Sequence, residues 1–160
     1  MEKDERKKLV AELQSLIQNG NAHVTLWDAV ADLPAELRGV TPENLPYSIW
    51  QLVEHLRIAQ KDILDFSASD DYQEIEWPKD YWTEPLDTVS DEQWNTALEQ
   101  IKADQQTFLD LLHDDGRDLF AAFPWGTGQN LLREAMLIAD HNAYHTAEIV
   151  VLRRILNAWH

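Results

Sequence analysis

The chain has 160 residues, of which 44% are apolar and 26% charged; that composition describes one globular domain over residues 1–160 and excludes a disordered or two-domain chain. Cysteine is absent, so disulfides, thiolate metal sites and cysteine nucleophiles are excluded, and any metal must take His, Asp, Glu or backbone oxygen. Thirteen basic against 29 acidic residues give a formal charge of -16, a field that repels nucleic acid and anionic membranes.

The polar start, Met1 to Arg6, carries no apolar signal region, and no apolar run approaches the ~20 residues of a membrane span. A cytoplasmic protein is expected. Much of the acid falls in residues 65–92, where Lys79 is the sole base; this reads as a solubilising surface around a loop. Seven Trp is a high count for the length and points to a well-packed core or a partner face.

The apolar spacing predicts helices nearly throughout. Residues 2–18 carry Leu9, Val10, Leu13, Leu16 and Ile17 as one stripe, closed by Asn19-Gly20. Residues 25–33 form a short second piece, with Thr25 as N-cap, Asp28 three positions on, and Pro34 after it. Residues 39–47 hold Pro42 and Pro46 and read as loop. Ser48 and Gln51 have the capping-box spacing and open a helix to about Phe66, with Ile49, Leu52, Val53, Leu56, Ala59 and Ile63 on one face.

Residues 70–88, with Trp77-Pro78 and Glu84-Pro85, are irregular because a residue before proline avoids the helical region. A loop so long is expected to cover something, and Trp77, Tyr81 and Trp82 would pack it down on the helices. Ser90 and Gln93 form a second capping box, for a helix carrying Trp94 to Leu112, with Gly116 just beyond its end. Phe123-Pro124-Trp125-Gly126 is a break, and residues 120–125 are the one place for a short extended piece. Thr127 is the expected cap of the last helix, which runs through Leu131, Ala135, Ile138, Ile149 and Ile155. Four main helices without a strand pattern predict an all-α four-helix bundle.

Three of the six histidines stand out. His141 and His145 lie four residues apart, about 40° around and about 6 Å along a helix, so both imidazoles leave one face. They continue the apolar face of the last helix, and His55 sits among Leu52, Leu56 and Ala59. Polar groups on a core face need partners. One divalent ion would satisfy all three, and so would separate hydrogen bonds from neutral imidazoles to a carbonyl, Glu54 or Asp140.

Residues 46–62, Pro46-Tyr47-Ser48-Ile49-Trp50-Gln51-Leu52-Val53-Glu54-His55 through Asp62, resemble the second-helix signature of the DinB-like superfamily. Asp140-His141-Asn142-Ala143-Tyr144-His145-Thr146-Ala147-Glu148 near the end is similar to its last-helix motif, as residues 20–25 are to its early segment. The resemblance runs in order along nearly the whole chain. It implies an up-down-down-up bundle, commonly a homodimer, holding a divalent metal, nickel or zinc, on His55, His141 and His145. It further implies a small-molecule substrate and an enzyme of the low-molecular-weight thiol S-transferase or hydrolase type; a non-catalytic metal or small-ligand binding stress protein is the alternative. Relatives often carry Gln where this chain has Glu148. A carboxylate there would orient an imidazole or act as a base on metal-bound water; a salt bridge to Arg153 or Arg154, or a surface position, is the equal alternative.

His23 is expected at the surface or beside the site, His113 at a helix end where a cation suits the dipole, and His160 in solvent. Trp50, Trp94 and Trp159 are expected in a core or dimer face, and Trp77, Trp82 and Trp125 as walls of a pocket.

Overall fold

The computed structural model describes residues 2–159. Five α-helices form among these residues: α1 Lys3–Asn19, α2 Leu26–Val30, α3 Ile49–Ala68, α4 Asp91–His113 and α5 Leu131–Ile155. Among the described residues there is no strand, only a single antiparallel bridge between Ala122 and Asn130. That bridge is all that residues 120–125 contribute of extended structure.

Local chemistry fixes most boundaries. Gly20 takes a left-handed φ of 64° at the end of α1, a conformation that lacks a steric penalty only for glycine. Thr25 and Asp28 exchange the capping bonds at α2: the Asp28 N–H donates to Thr25 Oγ1 at 3.1 Å and the Thr25 N–H to Asp28 Oδ2 at 2.9 Å. That helix stops at Val30 and not near Leu33, since Ala31 is extended and Asp32 turns to a φ of 52°. Ser48 with Gln51, and Ser90 with Gln93, cap α3 and α4 in the same reciprocal way.

At α5 the cap is Asn130, whose Oδ1 accepts from the Arg133 N–H at 2.9 Å. Thr127 does not cap it. Gln129 Oε1 accepts from the Thr127 N–H at 2.6 Å, which folds residues 127–129 into a turn of their own before the helix begins.

The four long helices meet in pairs: α3 lies against α4 and α5, and α1 against α5 and α4. Cross-contacts give their senses. Gln60 donates to the Ile101 carbonyl at 2.7 Å, and Trp50 meets Trp94 at 6.4 Å, so α3 and α4 run together. Arg6 reaches the Leu112 carbonyl at 2.9 Å while Gln105 reaches that of Ile17 at 3.3 Å, so α1 opposes α4. Asn142 donates to Gln60 Oε1 at 3.0 Å, and Tyr47, just before α3, reaches Glu148 late in α5, so those helices are antiparallel.

The interior fills in two zones. One gathers Ile49, Leu52, Leu56, Ile101, Ile149 and Leu152 with α2; the other gathers Val10, Leu13, Phe108, Leu112, Leu131 and Ile138. Trp50 and Trp94 are buried in the first zone, as their helical spacing predicts; Trp159 packs on its edge from beyond the end of α5, not from a helical position. Arg153 is buried and ties α5 to α2 by donating to the Ala29 and Ala31 carbonyls at 2.8 and 2.7 Å. It is therefore not the partner of Glu148.

Residues 70–88 are irregular except for a 3₁₀ turn, Lys79–Tyr81. They are pinned to α3. Tyr72 and Tyr81 both donate their hydroxyls to Asp62, at 2.7 and 2.6 Å, and Gln51 donates to the Thr83 carbonyl at 3.0 Å. This loop does cover something: it closes over the histidines.

Candidate metal centre

His55 comes from the middle of α3, and His141 and His145 from adjacent turns of α5. The antiparallel packing of the two helices brings the three rings together. A ring nitrogen of each lies within 4.8 Å of one from each of the other two. His55 Nε2 and His141 Nε2 are 3.1 Å apart. The His55 and His145 rings meet edge to face at 4.5 Å, as do those of His141 and His145. His55 and His145 are buried and His141 half-buried.

The outer nitrogens set the tautomers. His55 Nδ1 is 2.9 Å from the Tyr81 carbonyl. A carbonyl only accepts, so that nitrogen carries the proton and Nε2 of the neutral ring presents a lone pair. His145 Nδ1 lies 2.6 Å from Glu148 Oε2 and donates to it, which turns Nε2 of that ring inward. Glu148 Oε1 in turn accepts a short hydrogen bond from the Tyr47 hydroxyl.

Burial favours the neutral form of two of the rings, His55 and His141. His55 is pushed below its ordinary value by burial, with a smaller contribution from nearby His145. His141 is pushed down to about 4, by burial first and then by the neighbouring His145 and His55. Ligation requires the neutral imidazole, so at neutral pH these two rings are ready donors. Burial, and then the contact with Glu148, raises the Tyr47 phenol above its ordinary range, so its hydroxyl keeps its proton.

The His55 and His141 nitrogens are spaced as two ligands of one divalent ion, with a nitrogen of His145 within 4.8 Å of both. Metal–nitrogen bonds of about 2.0–2.1 Å place two imidazole nitrogens about 3.3 Å apart at a tetrahedral angle and about 2.9 Å apart at a right angle. The observed 3.1 Å falls between them. Three imidazoles from protein leave further coordination positions, as in catalytic zinc sites. The charge of -16 favours a cation.

Aromatic rings wall the site. Trp82 stacks on His55 with centroids 4.1 Å apart and planes 2° from parallel. Tyr47 also stacks on Trp82, at 5.5 Å. Trp77 lies 6.4 Å from His55 and is two-thirds exposed. Trp125 is elsewhere, donating to the Phe66 carbonyl at 2.8 Å and stacked on Phe123.

The other sequence candidates stay outside the cluster. His23 is exposed with Nδ1 at its neighbour Val24's carbonyl, and His113 bonds Gln14 at 2.8 Å. His160 lies outside the described residues. Glu54 pairs with Arg57 at 2.7 Å and Asp140 is exposed, so neither serves a histidine. Tyr47 and the Tyr81 carbonyl were not legible as site groups. Tyr47 precedes the Ser48 cap and belongs to no periodic face, and a backbone carbonyl has no sequence signature. No helix among the described residues is long and apolar enough to cross a membrane.

Compared with protein-family models, with curated proteins and with solved structures, the chain finds no match.

Proposed function

We propose that this protein is a metal-dependent enzyme of the DinB-like superfamily, an up-down-down-up four-helix bundle holding one divalent ion, nickel or zinc, on His55, His141 and His145. The observation that carries the proposal is the convergence of three imidazole donors within 4.8 Å, in rings from two helices whose outer nitrogens are occupied at His55 and His145. The paired senses of the long helices support the bundle order. A cytoplasmic homodimer with a small-molecule substrate and no nucleic-acid partner completes the reading.

A divalent ion bound there would acidify a coordinated water or thiol and so supply a nucleophile near neutral pH. The chain's own groups then have separate tasks. His55, His141 and His145 hold the ion. The Tyr81 carbonyl and Glu148 fix two ring orientations. Both Glu148 oxygens are already engaged, one by His145 and one by Tyr47, which supports an orienting role over that of a general base. Trp82 excludes water from one face of His55.

That chemistry, together with the resemblance to the DinB-like superfamily, supports low-molecular-weight thiol S-transfer or hydrolysis as the reaction class. Assays of both with metal-stripped protein test it: activity should vanish on chelation and return with nickel or zinc, and activity surviving complete metal removal would contradict the proposal. The covering of His55 by Trp82 and the Tyr81 carbonyl favours one second reading, a metal or small-ligand binding stress protein without catalysis. A bound ion with no exchangeable water ligand would distinguish it.

A further inference from the structure

Tyr47 occupies a singular position around the triad. Its hydroxyl donates to Glu148 Oε1, while Glu148 Oε2 accepts from His145 Nδ1 at 2.6 Å. Its ring stacks on Trp82 at 5.5 Å and 11°, and Trp82 stacks on His55 at 4.1 Å and 2°. One side chain thus touches both supporting arms: the carboxylate that aims the α5 ligand and the indole that backs the α3 ligand. It is itself held by its place just before the Ser48 cap, where Ser48 is fully buried and bonded to Gln51.

A carboxylate between two donors has little freedom. A Glu side chain has three rotatable bonds, and ordering it on a helix surface costs conformational entropy unless something else fixes it. The His145 bond alone leaves Oε1 free to swing toward solvent. The Tyr47 hydroxyl closes that freedom from the segment just before α3, across 101 residues of sequence. Groups that orient a ligating imidazole typically change metal affinity by about 10–100-fold when removed.

We propose that Tyr47 is a positioning residue of the metal centre, acting through Glu148 to fix the orientation of His145. The inference rests on the reading of the triad as a metal site. It assigns Tyr47 no contact with substrate, and it separates two jobs of one side chain: the hydroxyl serves His145, the ring serves Trp82.

Tyr47→Phe keeps the ring and its stack and removes only the hydroxyl. The probe is cobalt(II) added to full-length, metal-stripped protein, read by its visible absorption band and by competition with a chelator. Wild type, Tyr47→Phe, Glu148→Gln and the double variant are compared, with thermal melts of the stripped proteins showing that each folds. Tyr47→Phe should weaken cobalt binding roughly tenfold and alter the band, because the orientation of one ligand is loosened. The double variant should bind no more weakly than Glu148→Gln alone, since both changes break one chain of contacts. Unchanged affinity and an unchanged band in Tyr47→Phe would overturn the assignment, as would losses that multiply in the double variant. Failure of wild type to take up cobalt would overturn the metal reading itself, and this inference with it.

Discussion

Acidification of the metal-free protein should destabilise it through His141. In the unfolded chain this imidazole takes up a proton near its ordinary value of 6.5, whereas in the folded protein burial and the two neighbouring histidines push it down to about 4. Between those values the unfolded state binds more protons, so stability is fully present above the unfolded value and is lost as pH falls toward the folded one. The gap, at about 1.4 kcal/mol per pH unit, sets a ceiling of about 3 kcal/mol. Linkage gives about 2.5 kcal/mol of that loss between about pH 7.5 and about pH 4.5. Carboxylates also titrate at the acid end, so the test is a difference: urea unfolding of stripped wild type and of His141→Asn across the range. His55 is lowered in the same direction, but it is present in both proteins and largely cancels. The stability of wild type relative to the variant should fall by about 2.5 kcal/mol over that interval. A difference that stays flat, or grows as pH falls, would refute the claim that His141 is held neutral, half-buried beside the other two rings.

Other expectations are equally direct. Adding zinc or nickel to stripped protein at a hundredfold excess over its dissociation constant should stabilise it by about 2.7 kcal/mol, which a thermal melt would register as a rise of roughly 5–10 °C; no shift would argue against an ion on the folded state. Trp82→Ala removes the ring stacked at 4.1 Å on His55 and should weaken metal binding in a chelator competition while leaving far-UV helicity intact, whereas unaltered affinity would show that the indole only covers the site. Ser48→Ala deletes a fully buried cap hydroxyl that accepts from the Gln51 N–H, and urea unfolding should show a loss of about 1–2 kcal/mol; a change within error would mean Gln51 alone holds that helix end.

What the sequence revealed was what neighbouring residues decide. Ser48 with Gln51 and Ser90 with Gln93 sit three apart, so their caps could be read directly, and both hold. The histidines could be singled out because each lies on an apolar face, where an unpaired polar group is costly. The cap of α5 was harder: Thr127 has the right residue type, but the Gln129 side chain captures its N–H and moves the helix start to Asn130. The supports of the triad were out of reach for a different reason. Tyr47 and Glu148 are separated by 101 residues and meet only because α3 and α5 run in opposite directions. Glu148 itself stood out as an acid on the ligand face, yet only the folded chain shows it bonded to His145 and not to Arg153, which is spent on the α2 carbonyls.

The central claim is that His55, His141 and His145 together hold one divalent ion. Elemental analysis of untagged protein, wild type beside His141→Ala, tests it most directly. The account predicts about one ion per chain in wild type and its loss in the variant, in keeping with a single site of three protein ligands. No ion in wild type, even after incubation with zinc, nickel or manganese, would contradict it and leave the three imidazoles as packing groups of the helical core.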